Sequence, residues 1–462
     1  MIRAKSEKNI LHGDPLPTLL TFAVPIICGN IFQQLYNIVD AMVVGAYLGD
    51  LPLGGISAAS PIMDVLYGIV TGGTVGISAL LAQLYGAGKP ERLKRVHVTA
   101  LTAGAVFILL LGLITLAASP AILKAQKTDP QIIGQSIRYL TIICLGMLLN
   151  FLYCYYAAAL RACGNSATPF LVLLFSSVLH AGLDVLLVGV LKLEIIGVAV
   201  STVFCQLLSA VILFSYCQKK CPELAIDRSQ RFDRTELGKV AGFAWAGALQ
   251  QIVVQVGRLL IQGMLSGMPV GELPDGADPA LYRSYRVTGY NMGVRVEVFL
   301  FGIEQGVSGA AVVTMSQNYG YRDGNRVVAF YKRGLMLGVI YGTILFFVCH
   351  GLPRELIGLF SDNEEVIRAG STYISLMGNF YILSCLGDMT QSFFRGVGKL
   401  KVCALASALQ IMLRVILSYF LIPGLGIPGI CYSVAVGWIL LVIVEGSFTV
   451  RECRKLLKMR RE

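Results

Sequence analysis

Apolar runs of about twenty residues recur from one end of this chain to the other, and no other feature narrows its fold so far. The runs at 99–118, 197–217, 327–349 and 427–450 each approach the length of helix needed to cross the hydrocarbon core of a bilayer. Their repetition excludes a single anchor. Over 462 residues the chain is 55% hydrophobic and only 14% charged, where a soluble chain carries roughly a quarter charged residues. Mean hydropathy is +0.70. The expectation is an all-α polytopic membrane protein with twelve transmembrane helices. The first is predicted at 16–38, the eighth at 288–317 and the tenth, as one helix, at 366–392.

The net charge of +11 raises the question of nucleic acid, and the loops answer it. Most of the 38 Lys and Arg fall in alternate loops: the N-terminus, the GKPERLKR turn, the 218–239 segment, YRDGNR and the RECRKLLKMRR tail. That is the positive-inside pattern, and it predicts a multi-pass protein of the cell membrane with both termini cytoplasmic. A nucleic-acid binder would gather its basic residues on one face, so the bilayer is the expected partner and nucleic acid is not. The twelve cysteines lie mostly within the apolar runs, where a free thiol behaves as a small hydrophobe. Cys217 and Cys221 lack the further pair that a zinc site requires. The first residues are polar rather than the plain apolar core of a removable leader.

One internal offset recurs. AQLYG at 82–86 returns as SQNYG at 316–320, so Gln83, Tyr85 and Gly86 each reappear 234 residues on, as Gln317, Tyr319 and Gly320. Gly72 returns as Gly306 and the RxxG of Arg161 and Gly164 as Arg395 and Gly398 at the same offset. Six spans per half leave the halves in one orientation, as parallel repeats about an axis along the membrane normal with a central cleft between six-helix lobes. The predicted organisation is an N-terminal lobe at 1–217, a cytoplasmic linker at 218–236 and a C-terminal lobe at 237–462. The second lobe carries an outer insert near 267–287, read as a loop, and a basic tail.

Ionisable residues inside spans cost roughly 2.5 kcal/mol or more at the bilayer centre and are functional candidates by default. The first span carries a polar stripe, since Gln33, Asn37 and Asp40 share one helical face with Gln34 beside them. His180 and Asp184 are spaced i, i+4 and face one way, whereas their equivalents 234 residues on are Arg414 and Ser418. Only the first half keeps an Asp40, Asp184 pair. Two carboxylates confined in a low dielectric repel each other and lose hydration, so such a pair can pick up and release a proton or clamp a small cation. The plainer readings are a hydrated helix end for Asp40 and a register-fixing hydrogen bond for Asp184. Pro25 removes a backbone hydrogen bond and marks a possible hinge in the first helix. Gln33, Gln34, Asn37, Asn150, Asp388 and Glu297 are the candidate cleft residues.

FQQLYNIVDAMVVGAYLG, SPIM, AQLYGAGK, LRACGNSATP, the His180 to Asp184 pair, GVAVST, SQNYG and FRGVGK together resemble the multidrug and toxic compound extrusion (MATE) transporters. They follow the family's order and spacing over nearly the whole chain. The resemblance implies a two-lobe, twelve-helix exporter of amphiphilic, often cationic small molecules, driven by inward flow of protons or sodium. It is expected to work without a cofactor, as a monomer and not as an enzyme. It also implies an ion or proton site from Asp40 and Asp184 with Tyr139 and Thr202, and a further contact at Asp388. Where the family often has Asn four residues before the fifth-helix acid, this chain has His180. An imidazolium opposes a cation, while His beside Asp suits proton traffic, so proton coupling is expected, with sodium at Asp40 and Asp184 as the alternative. The rival functions are a lipid-linked precursor flippase of the same superfamily, which calls for several inward basic residues, and a membrane-embedded transferase, which calls for a catalytic His or acid cluster.

Overall fold

The computed structural model describes residues 10–126, 128–226, 231–267 and 278–459, leaving the side chains at 37, 39–41, 44, 50 and 266 outside the described residues. The first lobe is built from α1 (Pro15–Leu48), α2 (Asp50–Gly86), α3 (Pro90–Ala125), α4 (Pro130–Ala162), α5 (Ala167–Asp184) and α6 (Glu194–Lys220). A π-helical turn over Val185–Val190 prolongs α5. The second lobe holds α7 (Arg234–Ser266), α8 (Pro279–Gly320), α9 (Gly324–Gly351), the short α10 (Pro353–Gly358), α11 (Glu364–Gly378), α12 (Tyr381–Gly396), α13 (Leu400–Leu425) and α14 (Ile427–Leu457). No strand occurs among the described residues.

Three spans start from the same dipeptide. Asp14, Asp129 and Asp278 each precede a proline and accept a hydrogen bond from the backbone N–H two residues on, at 3.0, 2.9 and 2.9 Å. The aspartate occupies one of the donors a helix start leaves free, and the proline supplies the fixed φ of the first turn. This chemistry explains one departure from expectation. The insert near 267–287 is not a loop throughout, because Asp278 and Pro279 start α8 well before the predicted span at 288–317. Residues 268–277 of that insert lie outside the described residues.

The tenth crossing differs too. Eleven of the described helices are long and apolar enough to span a bilayer, and the tenth crossing is made instead by α11 and α12 in series. The Asn379 side chain turns back to donate to the carbonyls of Ser375 and Leu376, both at 3.2 Å. Local side-chain bonding of this kind competes with continuation of the helix.

Packing repeats about a pseudo-twofold axis. In the first lobe α2 packs on α4, α4 on α6 and α1 on α5; in the second α8 packs on α11 and α12, α12 on α14 and α7 on α13. Across the lobes α2 meets α7 and α1 meets α8, with α2 and α8 in contact beside the axis. The α2–α7 seam brings backbones together. A Cβ on Gly72 would stand 2.3 Å from the Gly247 carbonyl oxygen, and one on Gly247 would stand 2.1 Å from that of Gly72.

The duplicated Gln-x-Tyr-Gly segment joins the lobes at the end that carries the basic loops. Gln83 Nε2 on α2 donates to the Gly396 carbonyl at the close of α12, at 2.8 Å. Gln317 Nε2 on α8 donates to the Ala162 carbonyl at the close of α4, at 2.7 Å. All four residues obey the 234-residue offset, so the two bonds are one bond used twice. The glycines of the same segment leave room for the crossing, since a Cβ on Gly86 would lie 2.0 Å from the Gln317 oxygen and one on Gly320 would lie 1.9 Å from that of Gln83. A hydrophobic core continuous across both lobes surrounds these contacts, with Leu81, Ala159, Ala311, Met315, Phe393 and Val397 in it.

Candidate functional site

The strongest polar cluster inside the first lobe centres on His180. α5 is apolar along most of its length, and the i, i+4 spacing sets His180 and Asp184 one above the other on the face turned to α1 and α6. His180 is 2% exposed and Asp184 is fully buried. His180 Nδ1 lies 2.8 Å from Asp184 Oδ2. Nε2 lies 3.0 Å from the Tyr36 hydroxyl on α1, 3.0 Å from Thr202 Oγ1 and 3.3 Å from Ser201 Oγ on α6. Ser201 also donates to Asp184 Oδ1. α5 passes into its π turn directly after Asp184, and such turns are frequent at functional sites.

The hydrogen bonds admit two protonation states without movement of heavy atoms. With Asp184 ionised and the imidazole neutral, Nε2 accepts from the Tyr36 hydroxyl. Thr202 spends its single proton on the Val198 carbonyl at 2.9 Å, which leaves its lone pairs toward Nε2. An imidazolium can therefore donate from Nε2 to Thr202 Oγ1 while Nδ1 still faces Asp184. The cluster holds a net charge of minus one or zero in a dry setting. That difference of one proton is felt by α1, α5 and α6 together, because each supplies a partner.

The sequence candidates divide on this geometry. His180, Asp184 and Thr202 come together in this cluster. Asp40 and Asn37 have side chains outside the described residues, and position 40 falls one helical turn beyond Tyr36 on α1. Tyr139 is buried on α4. Gln33 and Gln34 are half-buried on α1, and Asn150 is half-buried on α4 with a long 3.9 Å contact from Cys154 Sγ. α1 runs without interruption through Pro25. Tyr36 and Ser201 were not singled out in the sequence, although Tyr36 belongs to the polar stripe between Gln33 and Asp40 and Ser201 adjoins Thr202. The second lobe has no counterpart to the His180 pair, since Arg414 Nε and Ser418 Oγ are both buried without a partner.

The remaining candidates occupy two places in the second lobe. Glu297 on α8 accepts a hydrogen bond from the Tyr373 hydroxyl. Asp388 on α12 lies close to Glu304 on α8, near enough for the two carboxyl groups to act on each other's charge. Both carboxyl oxygens of Glu445 on α14 are buried and unpartnered nearby. Arg395 is the cation beside these acids and is bonded to Gln250 and Gln391 at 2.9 and 3.1 Å. Asp388 thus belongs to a buried network within one lobe.

A family model named MatE matches residues 25–186 and 280–420, about two thirds of the sequence and a stretch of each lobe. The chain belongs to the MatE family. Among curated MatE relatives, the probable multidrug resistance protein YoeA of Bacillus subtilis is 25% identical over 88% of this chain and 84% of its own length. The probable multidrug resistance protein NorM of Thermotoga maritima is 22% identical over 85% and 83%. The multidrug export protein MepA of Staphylococcus saprophyticus is 21% identical over 90% of each. Among solved structures, one described as the outward-facing conformation of a multidrug resistance MATE family transporter of the MOP superfamily superposes with a TM-score of 0.87 at 18% identity. It covers 97% of this chain and 98% of that one, a likeness of fold. MatE membership places the chain among multi-pass membrane transporters and not among enzymes.

Proposed function

We propose that this chain is a secondary active exporter of amphiphilic, often cationic compounds, working as a monomer in the cell membrane with both termini cytoplasmic, and that it exchanges substrate for protons. The observation that carries the reading is the buried His180–Asp184 pair ringed by three hydroxyls. The imidazole stands 2.8 Å from the Asp184 carboxylate, where it crowds an incoming sodium ion and, once protonated, repels it, so the site favours proton exchange over sodium. Relatives named for multidrug resistance and export support the substrate class.

In this reading the lobes are held together at the cytoplasmic end by the paired glutamine bonds, and the cleft opens outward. A proton entering from outside neutralises the His180–Asp184 cluster, alters how α1 packs against α5 and α6, and releases substrate. Asp40, one turn from Tyr36, and the Glu304–Asp388 pair would extend the set of acids that take part. Proteoliposomes with separately imposed pH and sodium gradients test the proposal. A pH gradient should drive dye accumulation and Asp184→Asn should abolish it. Accumulation under a sodium gradient alone, or unimpaired pH-driven transport by Asp184→Asn, would refute it.

A further inference from the structure

A cavity of about 220 Å³ lies in the seam between the lobes, toward the basic-loop end of the molecule. Gly73 of α2 lies at its floor, Ala103 and Phe107 of α3 and Phe151 of α4 form one wall, and Ala241 and Trp245 of α7 form the other. Phe107 is 46% exposed and Trp245 is 56% exposed, so the cavity opens outward between α3 and α7, where both helices face the bilayer. Its lining is almost entirely apolar. A cavity of this kind and size stays dry, and the medium at its mouth is hydrocarbon.

The rim supplies the second half of a binding site. Arg234 lies on the cavity face of α7, since 234, 237, 241 and 245 follow helical spacing. Arg95, Arg231 and Lys239 are exposed around it. Arg92 on α3 bridges the mouth to Glu236 on α7, with Nε–Oε1 at 2.6 Å and a second bond at 3.0 Å. Against these five cations stand the acids Glu91, Asp233 and Glu236, the last already matched by Arg92. Basic pockets between spans on the cytoplasmic side are where anionic lipid head groups bind. An exposed tryptophan at the mouth is the residue type that favours the interface between acyl chains and head groups.

We propose that this seam binds one anionic glycerophospholipid of the inner leaflet, with an acyl chain in the cavity and the phosphate at Arg234 and its neighbouring cations. The two walls belong to different lobes, so a bound lipid spans the seam and favours the arrangement closed at the basic-loop end. The proposal rests on the topology given above, which puts the basic loops in the cytoplasm. It does not depend on the coupling chemistry, and Asp184→Asn should leave it untouched.

Native mass spectrometry of the full chain, released from nanodiscs of equal phosphatidylglycerol and phosphatidylcholine, tests it. The wild-type protein should retain one phospholipid, with phosphatidylglycerol favoured about tenfold. Ala241→Phe, which places a ring in the mouth, should remove retention. Arg95→Gln with Arg234→Gln should keep retention but lose the preference. A wild-type protein that retains no lipid, retains detergent instead, or holds both lipids equally would overturn the proposal. So would wild-type retention by a folded Ala241→Phe protein, with folding checked by an unchanged melting transition.

Discussion

Removing both seam glutamines, Gln83→Ala with Gln317→Ala, should open the end of the transporter that carries the basic loops. Each side chain donates one bond to a buried carbonyl of the opposite lobe, at 2.8 and 2.7 Å. A neutral hydrogen bond of this kind contributes about 1 kcal/mol net. The two bonds are related by the repeat axis and act on the same separation, so together they bias the closed arrangement by about 2 kcal/mol. That corresponds to a roughly 30-fold change in the ratio of the two states. Double electron–electron resonance between labels at Lys89 and Arg322 reads the change directly, since both residues are exposed at the tips of the turns that follow the two segments. The labels should be introduced as unnatural amino acids because the chain has twelve cysteines. The double variant should gain a long-distance population at the expense of the short one, and each single variant should gain roughly a fifth as much on the ratio scale. An unchanged distance distribution in a folded double variant would show that the glutamine bonds do not hold the lobes together.

Two further outcomes concern stability. Both oxygens of the fully buried Glu445 lack partners, and an orphaned buried polar group costs about 1 to 3 kcal/mol. Glu445→Met, of similar volume, should therefore raise the melting temperature in detergent by a few degrees, and a lowered one would mean that the carboxyl is partnered. At the start of α7, two hydrogen bonds from Thr235 hold the Asp233 carboxyl below its usual range. A depressed native value means that the cap's contribution is complete above the unfolded carboxylate's range near pH 4 and fades as pH falls through the native value. Amide exchange in the first turn of α7 should speed up relative to the helix middle only below that range, and Asp233→Ala should show the faster exchange already at neutral pH.

What the sequence made legible was what repeats or what lies on one helix. The apolar runs, the 234-residue offset and the His180 to Asp184 spacing each depend on separations along the chain, and each reappears in the structure. Partners on other helices were harder to read. Nothing in the local pattern shows that Tyr36 and Ser201 complete the ring of hydroxyls, because that depends on how α1 and α6 pack against α5. The tenth span reads as one apolar run since Phe380 and Tyr381 continue it. Asn379 ends α11 through bonds to the preceding turn, which hydropathy does not register. Asp388 was singled out from its place along the chain, but that packing of α12 against α8 sets it beside Glu304 could not be read from the sequence. The matching glutamines and glycines of the duplicated segment were visible as a repeat, but their use as a crossing between lobes needed the fold.

The central claim is that substrate and a proton compete through the His180–Asp184 pair, and proton release on substrate binding measures it most directly. Purified protein in weakly buffered detergent solution with a pH indicator should release protons when it binds substrate. Asp184→Asn and His180→Asn should release far fewer while still folding. Undiminished release by both variants, or none from the wild-type protein alongside sodium-dependent displacement of substrate, would contradict the account.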